Sequence, residues 1–343
     1  MSRLRALLVG LGQIGCGYDA DLPFQWDQPG SSPRILSHAR ALACHPGFEL
    51  LGGVDPSAAA RNRFAGLYGL PTHRSLAAWC AASTGPDPDL VVIAVAPQLQ
   101  PALVEQLLAL MAPRLLLVEK PVAASLKQAR ALERACASQP GLVVAVNYIR
   151  RFLPAVIAWQ QRLQAGDLGE LLHGQITYGK GLLSNGSHFV NLAEAWLGPL
   201  TPCRLLDPGP SCFGFDREAS LELCVAAHGD APLLVRSVGA AGLRAGELDL
   251  WFRGGRLCWR NDGQAIAFWP CRPAAPGDSH APLAAEPELT LTGLEHYQLT
   301  VLESLARHWR DPLQAPLQCS LSDGVRTLET LASACADRPE PGC

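Results

Sequence analysis

Leu115-Leu116-Leu117-Val118-Glu119-Lys120-Pro121 decides the reading of this chain. Four apolar residues in an unbroken run read as a strand buried on both faces of a parallel sheet. An acid, an amine and a proline follow at its tip, where they would be wasteful as core. The carboxyl ends of strands in a doubly wound sheet are where ligands bind. A partly desolvated lysine at such a tip can serve as a general acid or base. Lys120 is therefore the first candidate catalytic residue, with Glu119 beside it as a ribose contact or the partner of a nearby cation.

The residues upstream supply the sheet. Ala6-Leu7-Leu8-Val9 runs into Gly10-Leu11-Gly12-Gln13-Ile14-Gly15, a G-x-G-x-x-G turn after a strand. Its glycines allow a tight turn and let the backbone approach a pyrophosphate. A second strand, Phe48 to Val54, ends in Asp55. An acid there can accept both ribose hydroxyls and would repel a 2′-phosphate, which favours NAD over NADP; the competing role is a helix N-cap before Pro56-Ser57. Asp55 follows Gly15 by 40 residues, whereas about 20 is usual. The excess, Cys16 to Pro33, reads as an inserted loop rich in Gly, Pro, Asp and aromatics (Tyr18, Phe24, Trp26). The helix after the glycines is then expected from about Pro33 to His45.

Strand and helix alternate through the rest of this half, the signature of a parallel α/β sheet. Leu90 to Val95 is a buried strand ending in Ala96-Pro97-Gln98, where a nicotinamide ribose should pass. Ser125 caps a helix to Ala137, and Leu142 to Val146 leads to Asn147-Tyr148-Ile149-Arg150-Arg151-Phe152. The texture changes at Leu153. A helix to Ala165, an alternating strand from Leu171 to Tyr178 and Gly179-Lys180-Gly181 lead to Ser184-Asn185-Gly186-Ser187-His188-Phe189-Val190-Asn191. His188 and Asn191 are i and i+3 on the apolar helix that follows, so they share a face. Five short β-like runs between Ala219 and Trp269 suggest an open, largely antiparallel sheet, and two helices, Glu295 to Trp309 and Ser320 to Cys335, finish the chain. The expected fold is α/β, with a Rossmann doubly wound sheet over residues 1–121. A substrate-binding and oligomerisation domain follows over 122–343, its last helix returning to the first.

Composition narrows the classes. The chain has 343 residues, 48% hydrophobic and 17% charged, with a net charge of −3. That suits a globular protein with two cores. Without a basic block it does not suit a nucleic-acid binder. No apolar run approaches the roughly 20 residues of a membrane span. Twelve scattered cysteines without a CxxC pair read as reduced, cytoplasmic thiols. No histidine or cysteine pair has metal-ligand spacing.

With Gly10 to Gly15, Asp55, Ala96-Pro97, Glu119-Lys120-Pro121, Asn147 to Phe152, and Gly186-Ser187-His188 with Asn191 in view, the chain resembles the Gfo/Idh/MocA family of nicotinamide-dependent oxidoreductases over nearly its whole length. The resemblance implies a Rossmann domain that binds NAD(P) and a second domain with an open sheet often used to form oligomers, here a homodimer or homotetramer. It implies hydride transfer to or from a sugar, nucleotide sugar or cyclitol, with Lys120 and His188 as the catalytic pair. Cofactor contacts are expected from Gly10, Gly12, Gln13, Ile14, Gly15, Asp55, Ala96, Pro97, Glu119 and Asn147. Substrate contacts are expected from Tyr148, Arg151, Lys180, Asn185 and Asn191. The chain departs from the family at two places, around His188 and after Ala96-Pro97, where Pro101 stands near the position of a frequent histidine. Ser184 stands where an aspartate frequently precedes the histidine matched by His188, and Asn191 stands where an acid could follow it. No carboxylate is therefore evident to orient His188, which moves weight toward Lys120 as the proton shuttle. Two other readings keep the fold: a lyase or hydrolase that uses bound NAD for transient oxidation, and a nucleotide-sensing protein without catalysis.

Overall fold

The computed structural model describes residues 3–23, 34–239, 245–260, 263–277 and 279–336. The chain forms two compact units, Met1–Phe152 with Glu295–Val325, and Leu153–Leu294 with Arg326–Cys343. The boundary expected after Pro121 falls instead after Phe152. The strand Val143–Val146 pairs in parallel with Leu115–Val118 and so extends the first sheet.

In the first unit β1 (Leu4–Val9), β2 (Phe48–Val54), β3 (Thr72–His73), β4 (Leu90–Ile93), β5 (Leu115–Val118) and β6 (Val143–Val146) form an all-parallel sheet in the order β3-β2-β1-β4-β5-β6. The order reverses between β1 and β4, which makes their carboxyl ends the switch point at which such sheets bind ligands. β1, β4 and β5 are central and read as continuous apolar runs because both faces are covered; Leu7, Leu8, Val91, Val92 and Leu117 are all fully buried. Serines set the starts of the flanking helices α1 (His38–Cys44), α2 (Ala58–Tyr68), α3 (Leu76–Ala82) and α5 (Leu126–Ala137). The hydroxyls of Ser37, Ser57, Ser75 and Ser125 each accept the backbone N–H three residues on, satisfying donors that a helix leaves open. Between α3 and α5, α4 (Gln100–Leu110) begins without such a cap, at Pro101.

The insertion does not begin where the sequence suggested. After Gly12 the chain makes a single π-helical turn, Gln13–Gly17, and α1 starts only at His38. The helix that should follow the glycines is thus in two pieces, with Cys16 and Gly17 in the first. Asp19 fastens the far side. Its Oδ2 accepts the backbone N–H of Leu36 and Ser37 at 2.8 and 2.9 Å and stands 3.6 Å from Arg40 Nε. Arg40, fully buried, donates to the carbonyls of Asp19, Leu22 and Pro23. Phe24 and Trp26 lie outside the described residues.

The second unit contains α6 (Pro154–Gln164), α7 (Ser187–Leu197) and an eight-stranded sheet of order β16-β15-β14-β13-β7-β12-β11-β8. Its strands are β7 (Leu171–Tyr178), β8 (Leu200–Asp207), β11 (Ser220–Val225), β12 (Ala231–Ser237), β13 (Gly246–Phe252), β14 (Gly255–Arg260), β15 (Ala265–Pro270) and β16 (Glu288–Leu291). A short ribbon of β9 (Ser211–Cys212) and β10 (Asp216–Arg217) stands apart. β7 and β12 are parallel and the other pairs are antiparallel. One face is the core, where Ile176, Leu221, Leu233, Leu250 and Leu257 gather with Phe189 and Trp196 of α7. Two helices close the chain: α8 (Tyr297–Arg310), in the first unit, and α9 (Leu321–Cys335), which begins there and continues into the second. Among the described residues no helix is long and apolar enough to cross a membrane. The scatter of the cysteines led to the expectation that all are thiols, and this is corrected by Cys203 and Cys224, which form a disulfide between the neighbouring strands β8 and β11. Strand pairing brings together two residues that are 21 apart in sequence, a closeness that no local spacing signals.

Candidate active site

The glycine turn at the end of β1 has three glycines with three different neighbourhoods. Gly10 has φ +96°, and a Cβ there would lie 2.3 Å from the Ala94 carbonyl oxygen at the end of β4. A Cβ on Gly15 would lie 2.0 Å from the Gly10 carbonyl oxygen. Both are required by the protein's own backbone. A Cβ on Gly12 would meet nothing within 4 Å, so a side chain there would only fill the space over the turn. Such a cradle at a switch point fits a pyrophosphate approaching backbone N–H groups. Gln13 and Ile14 follow it in the π turn.

Asp55 stands at the tip of β2 beside this turn. Its Oδ2 accepts the Leu11 N–H at 2.8 Å and its Oδ1 accepts the Ser57 N–H at 2.8 Å. The N-cap of α2 is Ser57, not Asp55. Each carboxylate oxygen has two acceptor directions, so one remains on each for ribose hydroxyls. Arg61 donates to the Asp55 carbonyl at 2.7 Å, and Arg63 donates to the Leu11 carbonyl.

The tips of β4, β5 and β6 carry the next residues. Ala96 is exposed and Pro97 half-buried, in the turn that leads to α4. Glu119 is buried. Its Oε1 lies 2.8 Å from His38 Nε2 and 2.7 Å from Asn147 Nδ2, and its Oε2 accepts the Lys120 backbone N–H at 3.3 Å. Burial alone would raise this carboxyl. The His38 hydrogen bond and charge, the Asn147 amide and the charge of Lys120 outweigh it and hold Glu119 below the usual carboxylate range. The Gln100 amide donates to the carbonyls of Glu119 and Pro121, both at 2.9 Å, so the backbone is gripped on either side of Lys120. Lys120 itself is half-buried. Asn147 also reaches Gln298 Oε1 of α8, at 3.3 Å. Tyr148 and Arg151 are buried in the 3₁₀ turn region after β6, Arg151 with a guanidinium nitrogen 3.8 Å from Asp323. Of the predicted residues, the structure thus joins Glu119, Lys120 and Asn147 directly. Sequence reasoning missed His38, Gln100 and Gln298, which lie far apart in the chain and carry no motif.

The second unit holds the remaining candidates. Lys180 is exposed, in a left-handed conformation of φ 66°. Asn185 donates to the carbonyls of Gly179 and Ala245 at 2.8 and 3.1 Å, pinning the turn that presents Lys180. Ser184 lies in a π turn, Leu182–Gly186. The backbone N–H groups of Leu183 and Ser184 are accepted by Asp216 Oδ1 and Oδ2 at 2.9 and 2.7 Å. Asp216 of β10, a residue the sequence reading passed over, thus holds the backbone of this turn. His188 and Asn191 are both buried on α7, as the i, i+3 spacing predicts. The Asn191 amide donates to Thr327 Oγ1 at 2.9 Å, and Glu194 accepts the hydroxyls of Thr327 and Thr330.

A parallel sheet with a glycine cradle at its switch point and an acid at the tip of β2 is the arrangement of a dinucleotide-binding Rossmann unit. The comparisons agree. Residues 4–148 match the oxidoreductase family Gfo/Idh/MocA, NAD-binding Rossmann fold. Over these residues, less than half of the chain, it is similar to that NAD-binding family. A comparison of the sequence with curated proteins finds no match. Among solved structures, the WlbA dehydrogenase from Bordetella pertussis, in complex with NADH and UDP-GlcNAcA, is similar at a TM-score of 0.73 and 14% identity, covering 97% of this chain and 94% of that one. An oxidoreductase from Agrobacterium radiobacter in complex with NAD+, L-tartaric acid and magnesium gives a TM-score of 0.69 at 18% identity, over 97% and 95% of the two chains. A lysine-to-alanine mutant of the 3-ketoreductase KijD10 from Actinomadura kijaniata, in complex with TDP-benzene and NADP, gives 0.71 at 15% identity, over 97% and 96%. At these identities the likeness is one of fold.

Proposed function

We propose that this protein transfers hydride between a nicotinamide and a secondary alcohol or ketone of a sugar, nucleotide sugar or cyclitol, with NAD preferred and Lys120 as the acid/base group. The observation that carries this reading is where the lysine stands. The chain has 28 lysines and arginines, of which only Lys120, Lys127 and Lys180 are lysine. A chain that uses arginine almost everywhere places a lysine at the tip of a central strand, its backbone held on both sides by Gln100. Arginine stays charged at any working pH, whereas an ammonium can give up and regain a proton. The named complexes with UDP-GlcNAcA and TDP-benzene support a substrate of the sugar or nucleotide-sugar kind.

The nicotinamide, when bound, supplies the hydride chemistry. The chain's residues do the rest. Backbone N–H groups of the Gly10–Gly15 turn hold the pyrophosphate, and Asp55 accepts the adenosine ribose hydroxyls. Lys120 takes the substrate hydroxyl proton during oxidation and returns it during reduction, where its ammonium also stabilises negative charge on the forming oxygen. His188 is the proton-handling candidate of the second unit.

The test is a titration with NADH and NADPH, followed by energy transfer from tryptophan, and then a screen of sugars, nucleotide sugars and cyclitols by absorbance at 340 nm. Lys120→Met should bind NADH within about threefold of wild type and lose about 10²- to 10⁴-fold in turnover on the substrate found. Unchanged turnover in Lys120→Met would remove the lysine from the chemistry. Absence of NADH binding would remove the whole reading.

A further inference from the structure

Glu119 is the meeting point of side chains from three separate segments. His38 comes from the first turn of α1, Asn147 from the end of β6 and Gln298, behind Asn147, from α8. His38, Asn147 and Gln298 are each at most 1% exposed. An ionised carboxylate accepts and never donates. Both groups at Oε1 must therefore be donors, which puts the hydrogen of His38 Nε2 toward Glu119. The 3.4 Å contact between His38 Nε2 and Asn147 Nδ2 is then two donors meeting one oxygen rather than a hydrogen bond. The second Asn147 hydrogen is left for Gln298.

Stability alone gives no reason for such a cluster, since apolar residues of like volume often serve as well as a buried ion pair. What the cluster does is keep a fixed negative charge one residue from Lys120. We propose that His38 is a positioning residue for Lys120: by holding the Glu119 carboxylate in its ionised, oriented state, it sets the proton affinity of the lysine. The inference rests on the reading of Lys120 as the acid/base group. Glu119 directly precedes Lys120, and its Oε2 accepts the Lys120 backbone N–H at 3.3 Å; a fixed negative charge so close to an amine favours the ammonium form. The other titratable groups around the cluster are Tyr297 of α8, Arg150 of the 3₁₀ turn, and Tyr18 and Asp19 after the π turn. The Tyr297 hydroxyl is raised by burial and then by Glu119, with Tyr18 and Asp19 acting in the same sense and Arg150 opposing them. None of these donates to Glu119 in place of His38 among the described hydrogen bonds.

The experiment is a ¹³C NMR titration of protein labelled at the lysine ε-carbon. Three lysines give three signals, and the Lys120 signal is identified by its loss in Lys120→Met. Glu119→Gln removes the charge and should lower the Lys120 midpoint by about one pH unit. His38→Phe removes the donor, lets the buried carboxyl move toward its protonated form, and should lower the Lys120 midpoint in the same direction. His38→Gln restores a neutral donor and should bring the midpoint back toward wild type. A purely structural histidine would change the urea midpoint in His38→Phe and leave the Lys120 titration where it was; that result overturns the proposal. If His38→Phe does not fold, the comparison of wild type, His38→Gln and Glu119→Gln decides. A Lys120 midpoint that Glu119→Gln leaves unchanged overturns the proposal as well. Failure of the parent reading is separate, because it appears as unchanged turnover in Lys120→Met whatever the titration shows.

Discussion

The glycine turn separates what a residue does for the fold from what it does for a ligand. Gly10 and Gly15 are pressed against backbone oxygens, whereas Gly12 faces open space. Gly15→Ala should cost more than about 2 kcal/mol, since a backbone carbonyl must move aside. Gly12→Ala should keep its urea midpoint and lose at least about tenfold in NADH affinity, because the methyl fills the approach of the pyrophosphate. Equal losses of stability in the two variants would refute the distinction. Asp55→Ser should reduce the preference for NADH over NADPH by about 10- to 100-fold, the worth of a hydrogen bond to a charged group; an unchanged ratio in the fluorescence titration would leave Asp55 a purely structural anchor. Glu119 carries a pH signature. A carboxyl held below its unfolded value adds stability above that value, about 4.3, and loses it as pH falls through the folded one. Wild-type stability should therefore decline below about pH 4, and Glu119→Gln should decline less steeply over the same window in urea titrations. Lys120, Glu119 and Asp55 were legible because each ends an apolar run. His38 was not, because its partner is 81 residues away and a histidine on a helix has many ordinary uses.

At the scale of elements, short-range chemistry was readable and long-range pairing was not. The helix expected from a Ser125 cap to Ala137 is α5, Leu126–Ala137, with the Ser125 hydroxyl accepting the Gln128 N–H. β8 was missed because Pro202 and Arg204 break its pattern, and β16 because it ends a proline-rich stretch. Their existence depends on neighbours in the sheet. The split helix after the glycines is the least predictable element, since its second piece is held by a buried ion pair rather than by the motif. Asp19 ties the segment after the π turn to the start of α1, and its removal leaves Arg40 charged and buried. Asp19→Ala should therefore cost about 3–5 kcal/mol, read as a fall in the urea midpoint. A cost under about 1 kcal/mol, the range of surface pairs, would mean that the carbonyls of Leu22 and Pro23 hold Arg40 alone.

Across the whole molecule, the alternation of strand and helix announced the first sheet, and a change to short alternating strands announced the second. The expected return of the last helix to the first unit is met only by residues 295–325, which contain α8 and the start of α9; α8 is amphipathic, and nothing in its sequence names the surface it covers. The second sheet leaves a different question. Its face away from the core carries Asp249, Trp251, Arg256, Trp269, Leu289 and Leu291, placed together by the register of β13 to β16. Arg256 is bidentate on Asp249 and lies over the rings of Trp251 and Trp269. Leu289 and Leu291 are 69% and 81% exposed on β16, the edge strand. A free edge flanked by bare leucines is a site of pairing unless something blunts it, and apolar patches of this kind mark association surfaces. We therefore expect the purified protein to sediment as a dimer or tetramer of the 36.6 kDa chain. Lysine on an edge strand discourages strand addition, so Leu291→Lys should shift the equilibrium toward monomer by at least about tenfold in dissociation constant while NADH binding, a property of the first unit, stays the same. A wild-type monomer at micromolar concentration would show that this face is kept in solvent, with the Arg256–Trp269 stacking serving to shield it. A wild-type oligomer untouched by Leu291→Lys would move the interface away from β16.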